Sequence, residues 1–442
     1  MAIPRNSIAG FLVSAKSVLQ TAIKKSQKVT LVIGNESAGT YHTLYNLDSL
    51  TSSLLYAYIR SSTPTPNAFT PLYIPITNIP AADVDIRPEF LKVLSHANLE
   101  SHHLITLDDL PDLSSIESQL PPHNTKWILV DHNALQGTLG SIYSERVQGV
   151  IDHHEDEGKV PKDVGDEPRI ITKAGSCTSL VTEYCSKAWD SLSSSAQSSG
   201  AAHGQDDASG VVDDSAVSAL WDAQVAKLAL ASILVDTANL QSKDKVTDHD
   251  IYAVKYLEAK MMSAPQVSKD FDRASFYKEI NAAKKDIGSL PLRDILRKDY
   301  KQWTEGKLNL GVSSVVKPID FLQNKAKEEL QDKSKQEAFL SAIEHFAQER
   351  SLQIYGIMTT SISASGDFQR ELLVWSFTPE ATQAAKKFSQ IAAEELGLED
   401  WQGSGGSLDD AEGEKQWRKV WRQREVQHSR KRVAPLLRQA MS

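Results

Sequence analysis

The sequence predicts an α/β protein with two domains, each built around its own sheet. In the first half, short apolar runs at residues 29–34, 127–131 and 149–154 alternate with segments of helical periodicity. Continuous apolar strands separated by helices are typical of a parallel sheet with helices on both faces. In the second half, predicted strands at residues 308–316, 352–362 and 370–377 lie between Lys-, Glu- and Ala-rich helices, which indicates a smaller α/β domain with a mixed sheet.

The first element is a basic amphipathic segment. Residues 1–35 contain five lysines and arginines and no acidic residue, and apolar residues recur at helical spacing from Ile8 to Leu19. An organelle presequence has this composition. However, a strand follows directly at residues 29–33, so we expect a first helix that packs on the sheet, in a cytoplasmic rather than a mitochondrial protein.

The middle of the chain contains an insertion and two helices. Residues 191–218 are rich in Ser, Ala, Gly and Asp, which predicts a disordered surface insertion. Helical patterns follow at residues 223–240 and 248–261. We expect a connection near residues 262–275, so the predicted domains are residues 1–262 and 275–442.

The composition limits the classes of partner. The chain of 442 residues has a net charge of -9, so the molecule as a whole does not favour a polyanion, and a phosphate-rich ligand needs local positive charge or a metal. No apolar run is evidently long enough to span a bilayer. The two cysteines, Cys177 and Cys185, provide no disulfide framework, which fits a reducing compartment.

Acidic and histidine residues lie at the ends of the predicted elements. They are Asp48, Asp131, Asp152, His153, His154 and Asp236. Carboxylates with imidazole suit Mn²⁺ or Mg²⁺, and two such ions that share a carboxylate can activate water and hold both ends of a phosphoryl displacement. A single Asp at a strand end is more often a helix cap or a loop residue, so spacing alone leaves both interpretations open.

These segments, in this order, resemble the DHH phosphoesterase superfamily. "LVDHN", "IDHHEDE", "GSCTSLV" and "LVDTANL" are similar to its motifs, and "GNES" followed by "LDS" resembles the first of them. "KDYKQW" (298–303), "GVSSVV" (311–316) and "HSRKRVAPLL" (428–437) resemble the DHHA2-type domain shared by family II inorganic pyrophosphatases and fungal exopolyphosphatases. Asn35 stands where those pyrophosphatases have His, and "GNES" is similar to the exopolyphosphatase branch.

The resemblance implies a hydrolase that removes terminal phosphates from inorganic polyphosphate by attack of metal-activated water. It implies two divalent ions, Mn²⁺ or Mg²⁺, bridged by Asp131. The implied metal ligands are Asn35, Asp48, Asp131, His153 and Asp236, and the implied catalytic residues are Asp131, Asp152, His153 and His154. Within this set, Asp152 orients the histidine pair and His154 faces the substrate phosphate.

The implied substrate-binding residues include cations of the second domain. Lys301, Arg430 and Lys431 would contact phosphate oxygens across a cleft, although composition alone favours a solvated helix end or a targeting patch for "SRKR". Residues 175–179 form a Gly-Ser-Cys-Thr-Ser turn before a helix expected near Leu180. Such a helix N-terminus can bind an anion, which adds Ser176 and Ser179 to the set, and ordinary capping is the alternative.

The C-terminal stretch 414–442 carries nine lysines and arginines and two glutamates. Trp417 and Trp421 are spaced i, i+4, which favours a basic aromatic helix. Nucleic acid and membrane are possible ligands of such a helix, but the net charge of -9 favours a surface that faces polyphosphate, with both tryptophans in the core. We therefore expect a monomer that binds inorganic polyphosphate, and neither nucleic acid nor membrane.

The first motif departs from the family pattern. The family has two aspartates two residues apart, whereas here residues 39–45 are extra and only Asp48 is evident. The position of the missing Asp falls on Gly39 or Asn46, and His42 is a candidate substitute. Two alternatives therefore stay open: a pyrophosphatase or cyclic-nucleotide phosphodiesterase of the same superfamily, and a weakened relative that binds polyphosphate or protein.

Overall fold

The computed structural model describes residues 5–35, 47–201, 214–363, 365–403, 406–410, 413 and 415–442. The chain divides at Asp286 into two compact units, and the second unit runs from Ile287 to Ser442. This division lies later than the connection expected near residues 262–275, because the helix Arg273–Lys285 packs on helices of the first unit. Gly39, His42 and Asn46, the positions considered for the interrupted first motif, lie outside the described residues.

The first unit contains the predicted parallel sheet. Its strands are β1 (Val29–Ile33), β2 (Tyr73–Ile76), β3 (Thr125–Val130), β4 (Val147–Asp152) and β5 (Arg169–Ile171), in the order β2-β1-β3-β4-β5, and all neighbours are parallel. Its helices are α1 (Ile8–Lys25), α2 (Leu47–Ser62), α3 (Ala81–Val84), α4 (Pro88–Ser95), α5 (Ile116–Gln119), α6 (Gly137–Tyr143), α7 (Cys177–Ala201), α8 (Asp214–Asp236), α9 (Asp248–Met262), α10 (Pro265–Ser268) and α11 (Arg273–Lys285).

The sheet order brings the predicted site residues to one edge. Strands β1, β3 and β4 are neighbours, and Ile33 is in register with Leu129 while Val130 is in register with Ile151. The carboxyl ends of parallel strands meet at the same edge, where ligands of open α/β sheets bind. The residues that follow these three strands are therefore close in space, although almost 100 positions separate Gly34 from Asp131 along the chain.

Helix α1 packs on the core, as expected from its amphipathic pattern. Its buried side chains are Ile8, Phe11, Leu12, Ala15, Leu19 and Ala22, and Ser7 caps its N-terminus. Helix α8 is largely apolar, and by length and composition alone residues 215–236 could cross a membrane. The core helix of a soluble protein meets the same criterion, and most of this stretch is buried inside the first unit.

The predicted insertion at residues 191–218 is wrong at both of its ends. Helix α7 continues to Ala201, and α8 begins at Asp214. Ser193 contributes to the α7–α8 contact, because its Oγ donates to the Asp222 carboxylate at 2.8 Å. Tertiary contacts of this kind outweigh the low helix propensity of serine. Residues 202–213 lie outside the described residues.

The second unit is a mixed sheet with helices on both faces, as predicted. Strands β6 (Tyr300–Glu305), β7 (Leu308–Val315), β8 (Ile354–Ile362), β9 (Phe368–Ser376), β10 (Leu398–Asp400) and β11 (Trp417–Gln423) have the order β10-β11-β9-β8-β7-β6, and the β7–β8 pair is parallel. Helices α12 (Leu292–Lys298), α13 (Ile319–Glu329) and α14 (Lys335–Glu349) cover one face. Helices α15 (Pro379–Leu396) and α16 (Arg430–Met441) cover the other.

The predicted helix around Trp417 and Trp421 is a strand. Residues 417–423 form β11, which pairs with β9 and β10. A spacing of four places two residues on one face of a helix and equally on one face of a strand. The prediction that both tryptophans are core residues is confirmed, since they are 4% and 5% exposed and their rings lie 5.9 Å apart.

Candidate metal centre

Asp131 is the central carboxylate of the candidate site. It follows β3 directly with φ of 64°, a left-handed conformation that is uncommon outside glycine and clusters at functional sites. Its backbone N–H lies 3.1 Å from the Ile151 carbonyl and 3.2 Å from Cys177 Sγ. Its Oδ2 accepts from Ser49 Oγ at 2.5 Å, and its Oδ1 lies 3.1 Å from His153 Nε2. Asp131 is thus fixed by β4, α2 and the start of α7.

The histidine pair follows β4 and is oriented by local hydrogen bonds. His153 Nδ1 lies 3.0 Å from the Ala174 carbonyl, so Nδ1 is the donor and Nε2 faces Asp131. His154 Nδ1 lies 2.8 Å from Asp152 Oδ1. Asn133 Nδ2 donates to Asp152 Oδ2 at 2.6 Å, which holds the fully buried carboxylate in place. The sequence implied that Asp152 orients both histidines, but its carboxylate contacts the ring of His154 only, and the ring of His153 is held by the Ala174 carbonyl.

The structure brings Asp131, His153 and His154 together. One potential ligand atom from each of these three residues lies within 4.8 Å of the others. Of the three, Asp131 and His153 are implied metal ligands, and His154 is the residue implied to face the phosphate. Among the described aspartates, Asp48 and Asp236 lie outside this group.

The site contains more negative than positive charge, because several buried carboxylates surround one histidine pair. Burial alone would lower the pKa of His153, but contact with Asp131 and the charges of Asp48 and Asp152 raise it to about 10. Burial, and then repulsion by Asp131, raise the pKa of Asp48. Buried carboxylates are stable only when a proton or another cation neutralises them. A divalent ion bound at this point would replace the proton that His153 otherwise retains.

Asp236 adds a second buried carboxylate oxygen. It is the last residue of α8, and within the described part of the chain its Oδ2 accepts no hydrogen bond. Burial raises its pKa well above the usual range, and the charges of Asp48 and Asp131 raise it further. An unpaired buried oxygen among like charges is a feature of a metal ligand.

Asp48 has a different environment from the one that the sequence implied. It is 1% exposed and accepts hydrogen bonds at the N-terminus of α7. The donors within 3 Å are Ser176 Oγ at 2.7 Å, the Cys177 N–H at 2.6 Å, the Thr178 N–H at 2.8 Å and Thr178 Oγ1 at 2.6 Å. Asp48 is near the other acidic residues, but its carboxylate oxygens accept hydrogen bonds at the start of α7. Metal binding by Asp48 stays a prediction.

Phosphate binding at residues 175–179 stays a prediction, and the structure shows which groups these residues contact. Helix α7 begins at Cys177, three residues earlier than expected, and its first amides bind the Asp48 carboxylate. Ser176 and Ser179 are fully buried, and their donors go to Asp48 and Asp250. The anion at this helix N-terminus is therefore a carboxylate of the protein itself.

Asn35 reaches the site through its backbone. Its N–H donates to Ser49 Oγ at 3.2 Å, and the Ser49 hydroxyl in turn donates to Asp131. Gly34 permits this close approach of β1 and α2, because a Cβ on Gly34 would lie 2.7 Å from Ser49 Cβ. The role of the Asn35 side chain as a ligand stays a prediction.

The cations predicted from the second unit lie near each other within that unit. Arg430, at the start of α16, donates to the Asp299 carbonyl at 2.8 Å and lies 2.5 Å from its carboxylate. Lys301 is a half-buried residue of β6. Burial, and then the charge of Arg430, lower the pKa of Lys301. Lys431 is exposed at the same end of α16. Phosphate binding by these three residues stays a prediction.

Sequence reasoning missed three residues that contact the site. They are Ser49, Asn133 and Asp250. Asn133 follows the predicted Asp131 by two positions, so its place in the motif was a usable signal. Asp250 had only a helix-capping signal, because Thr247 and Asp250 form a capping box for α9.

The comparisons with known proteins match both halves of the chain. Residues 278–440 match the family model of the DHHA2 domain. A Schizosaccharomyces pombe protein named "Putative exopolyphosphatase" is 29% identical over 436 residues, which cover 98% of this chain and 95% of that protein. Human "Exopolyphosphatase PRUNE1" is 24% identical over 80% of this chain, which spans 65% of the human protein. A solved Methanococcus jannaschii "putative family II inorganic pyrophosphatase" is similar at a TM-score of 0.45 and 18% identity, covering 93% of this chain and 99% of that one.

Proposed function

Because the chain belongs to the DHH phosphoesterase superfamily and carries a DHHA2 domain over residues 278–440, we propose that it is an exopolyphosphatase. Its reaction is the hydrolysis of terminal phosphates from inorganic polyphosphate. The names of the fungal and human relatives support this substrate. The observation that carries the proposal is the cluster of Asp131, His153 and His154 at the carboxyl edge of the parallel sheet.

The residues of the cluster fit divalent metal ions. Asp131 Oδ1 and Asp236 Oδ2 are buried oxygens that accept no hydrogen bond of good geometry from the described residues. Carboxylate and imidazole ligands suit Mn²⁺ or Mg²⁺, and we propose two such ions per chain. When bound, the ions supply positive charge to phosphate oxygens and lower the pKa of a water molecule.

The residues beside the ligands would bind and orient the phosphate. The hydrogen bond that His154 Nδ1 donates to the Asp152 carboxylate raises the pKa of His154. The imidazolium form, which attracts a phosphate oxygen, is therefore favoured. The His154 side chain is 43% exposed, so it is accessible to a ligand. Phosphoryl transfer depends on positioning and on neutralising charge more than on covalent chemistry, and these residues provide both.

The DHHA2 domain would contribute Arg430, Lys301 and Lys431 as phosphate ligands. The Asp299 carboxylate and carbonyl fix the guanidinium of Arg430, which leaves less side-chain entropy to lose when it binds an anion. Burial lowers the pKa of Lys431, as it does that of Lys301, and a bound phosphate would favour the charged form of both.

The test measures the phosphate that the purified protein releases from polyphosphate. Long-chain polyphosphate is incubated with the full chain in Mn²⁺ or Mg²⁺, and a parallel reaction contains EDTA. We expect phosphate release that stops with EDTA. If no phosphate is released under conditions in which a related exopolyphosphatase is active, the proposed activity is wrong. Parallel rates on pyrophosphate, adenosine tetraphosphate and cyclic nucleotides separate this function from pyrophosphatase and phosphodiesterase activity.

One observation favours a second candidate function, a relative that binds polyphosphate and hydrolyses it weakly. The Asp48 oxygens are engaged by four close donors around α7, which leaves fewer anionic ligands for a second ion. Calorimetric titration with Mn²⁺ distinguishes the two functions. Two ions per chain support the hydrolase, and one ion with tight polyphosphate binding supports the weakened relative.

A further inference from the structure

One peptide unit next to the metal centre is held from both of its sides. The Ala174 carbonyl accepts from His153 Nδ1 at 3.0 Å, and the N–H of the same peptide unit, on Gly175, donates to Asp250 Oδ2 at 2.9 Å. A peptide unit is planar and rigid, so fixing its N–H also fixes the direction of its C=O. The Asp250 carboxylate therefore sets the orientation of the carbonyl that orients His153.

The next residues extend this contact toward Asp48. Asp250 Oδ1 accepts from the Ser176 N–H at 3.1 Å and from Ser179 Oγ at 2.7 Å. The adjacent donors, Ser176 Oγ and the Cys177 N–H, bind Asp48. Asp250 and Asp48 thus hold the start of α7 from different sides.

The packing around Gly175 makes the contact specific. A Cβ on Gly175 would lie 2.7 Å from Thr237 Cγ2 and 2.9 Å from Asp250 Oδ2, so no larger residue fits without a shift of the turn. Asp250 is fully buried. Capping of α9 accounts only for Asp250 Oδ2, which also accepts from the Thr247 N–H and Oγ1, each at 2.8 Å. The hydrogen bonds from Gly175, Ser176 and Ser179 take no part in capping α9.

We propose that Asp250 is a positioning residue of the metal centre. Its hydrogen bonds within the described part of the chain go to Gly175, Ser176, Ser179 and Thr247, and none goes to a predicted metal ligand. It therefore acts through the turn at residues 174–178, which orients His153 and holds Asp48. This inference rests on the proposed metal-dependent function, because the turn would hold His153 and Asp48 in the positions that metal binding requires. Residues that orient metal ligands from outside the ligand set affect metal affinity by about 10-fold to 100-fold.

The test compares Mn²⁺ binding in Asp250→Asn and in a matched control. An Asn side chain has one oxygen, so at least one amide of the turn loses its acceptor. Asp222→Asn is the control, because Asp222 is also buried in the first unit and accepts from Trp189 Nε1, Arg5 and Ser193 Oγ, but not from this turn. Calorimetry on the metal-free full chains measures Mn²⁺ affinity, and thermal unfolding measures stability.

We expect Asp250→Asn to weaken Mn²⁺ binding about 10-fold, and Asp222→Asn to leave it unchanged at a similar loss of stability. Phosphate release by Asp250→Asn should recover when Mn²⁺ is raised, since the ligands themselves are intact. Equal Mn²⁺ affinity in wild type and Asp250→Asn overturns the inference, as does an equal loss in both variants. Mn²⁺ affinity that falls as expected while the wild type releases no phosphate contradicts only the proposed function.

A milder pair of variants covers the case in which Asp250→Asn does not fold. Ser179→Ala removes one hydroxyl donor to Asp250. Ser186→Ala removes a hydroxyl of α7 that donates to the Glu183 carbonyl and has no contact with the turn in the described part of the chain. We expect Ser179→Ala to weaken Mn²⁺ binding about 3-fold, less than the loss of a whole orienting residue, because only one of the hydrogen bonds to Asp250 is removed. We expect Ser186→Ala to have no effect. Unchanged affinity in Ser179→Ala, with wild type binding Mn²⁺, contradicts the inference.

Discussion

Asp131 is the residue with the most connections at the candidate metal centre. Its two carboxylate oxygens contact residues from different elements, Ser49 on α2 and His153 after β4. Its backbone is held in a left-handed conformation by the Ile151 carbonyl and Cys177. A residue fixed in this way is already oriented before any ligand binds, so metal binding would lose little side-chain conformational entropy.

Replacing Asp131 with Asn tests its role as a metal ligand. The amide keeps the size of the side chain but removes the negative charge, and an Asn Nδ2 cannot bind a cation. We expect Asp131→Asn to lower Mn²⁺ affinity and to reduce phosphate release at least about 100-fold, a loss of about 2.7 kcal/mol in transition-state stabilisation. The matched control is Asp166→Asn, an exposed aspartate of the same unit that contacts Asn67. If Asp131→Asn retains full turnover, Asp131 does not hold the metal.

Arg430 is the cation of the second unit with the most defined geometry. We expect Arg430→Ala to raise the KM for polyphosphate about 10-fold or more, because hydrogen bonds to charged groups contribute about 1.5–3 kcal/mol. The control is Arg432→Ala, since Arg432 is exposed and forms an ion pair with Glu395. Initial rates over a range of polyphosphate concentrations measure both variants. Equal KM values in the two variants would show that Arg430 does not bind the substrate.

At the scale of elements, the junction of β1 and α2 carries the site. Gly34 directly follows β1 and Asp48 lies in the first turn of α2, and the backbone of Gly34 lies against Ser49. Helix α2 is buried at every residue from Leu47 to Ser61, so it has no room to move away from the strand. Close packing at this junction aligns Ser49 with Asp131.

A methyl group at Gly34 should therefore destabilise the first unit. Its Cβ would lie 2.7 Å from Ser49 Cβ and 2.9 Å from the Ser49 carbonyl oxygen. We expect Gly34→Ala to lower the free energy of unfolding by about 1–3 kcal/mol, the usual cost of overpacking. Urea unfolding followed by circular dichroism measures this. The control is Gly356→Ala, whose Cβ would meet its nearest neighbour at 3.5 Å, an ordinary contact. A Gly34→Ala variant as stable as wild type would mean that α2 can shift.

The helices and strands also show which sequence patterns were sufficient to predict secondary structure. The strands after which the site residues lie were predicted within two residues, because buried parallel strands are continuous apolar runs bounded by polar residues. Strand β11 was predicted as a helix, because the spacing of Trp417 and Trp421 fits both structures and only pairing with β9 and β10 decides between them. The end of α7 was predicted as disorder, because contacts with α8 contribute there more than local propensity does.

At the scale of the whole molecule, the metal centre concentrates negative charge in a protein that is already acidic. The net charge is -9, and Asp48, Asp131, Asp152 and Asp236 lie around one histidine pair. Burial of like charges opposes folding of the first unit unless a cation is present. Stability and metal binding are therefore coupled.

Mn²⁺ should accordingly stabilise the folded chain. A ligand that binds only the native state at about 100 times its Kd adds about 2.7 kcal/mol to the free energy of unfolding. We expect the Tm in saturating Mn²⁺ to exceed the Tm in EDTA, measured by thermal unfolding of the full chain. The same addition to Asp131→Asn is the control and should produce a smaller shift. Identical Tm values for wild type in Mn²⁺ and in EDTA would contradict a metal centre in the first unit.

The sequence by itself determined the type of the two sheets and the edge of the first sheet at which the site lies. Local patterns carry this information, because strand and helix periodicities repeat over a few residues and polar residues mark the strand ends. The motifs around Asp131, Asp152 and Asp236 therefore pointed to one place. In the second half of the chain, the DHHA2 match over residues 278–440 confirms the resemblance to a DHHA2-type domain.

Only the tertiary structure decided which groups those residues contact. Asp48 binds amides more than 125 positions away at the start of α7, and Asp250 binds the same turn from α9 across more than 70 positions. Such pairs leave no periodic signal in the sequence, because a carboxylate that accepts internal amides looks the same in one dimension as a carboxylate that binds a metal. The difference arises when folding buries the carboxylate and brings donors to it, since a buried charge must find a partner wherever the chain provides one.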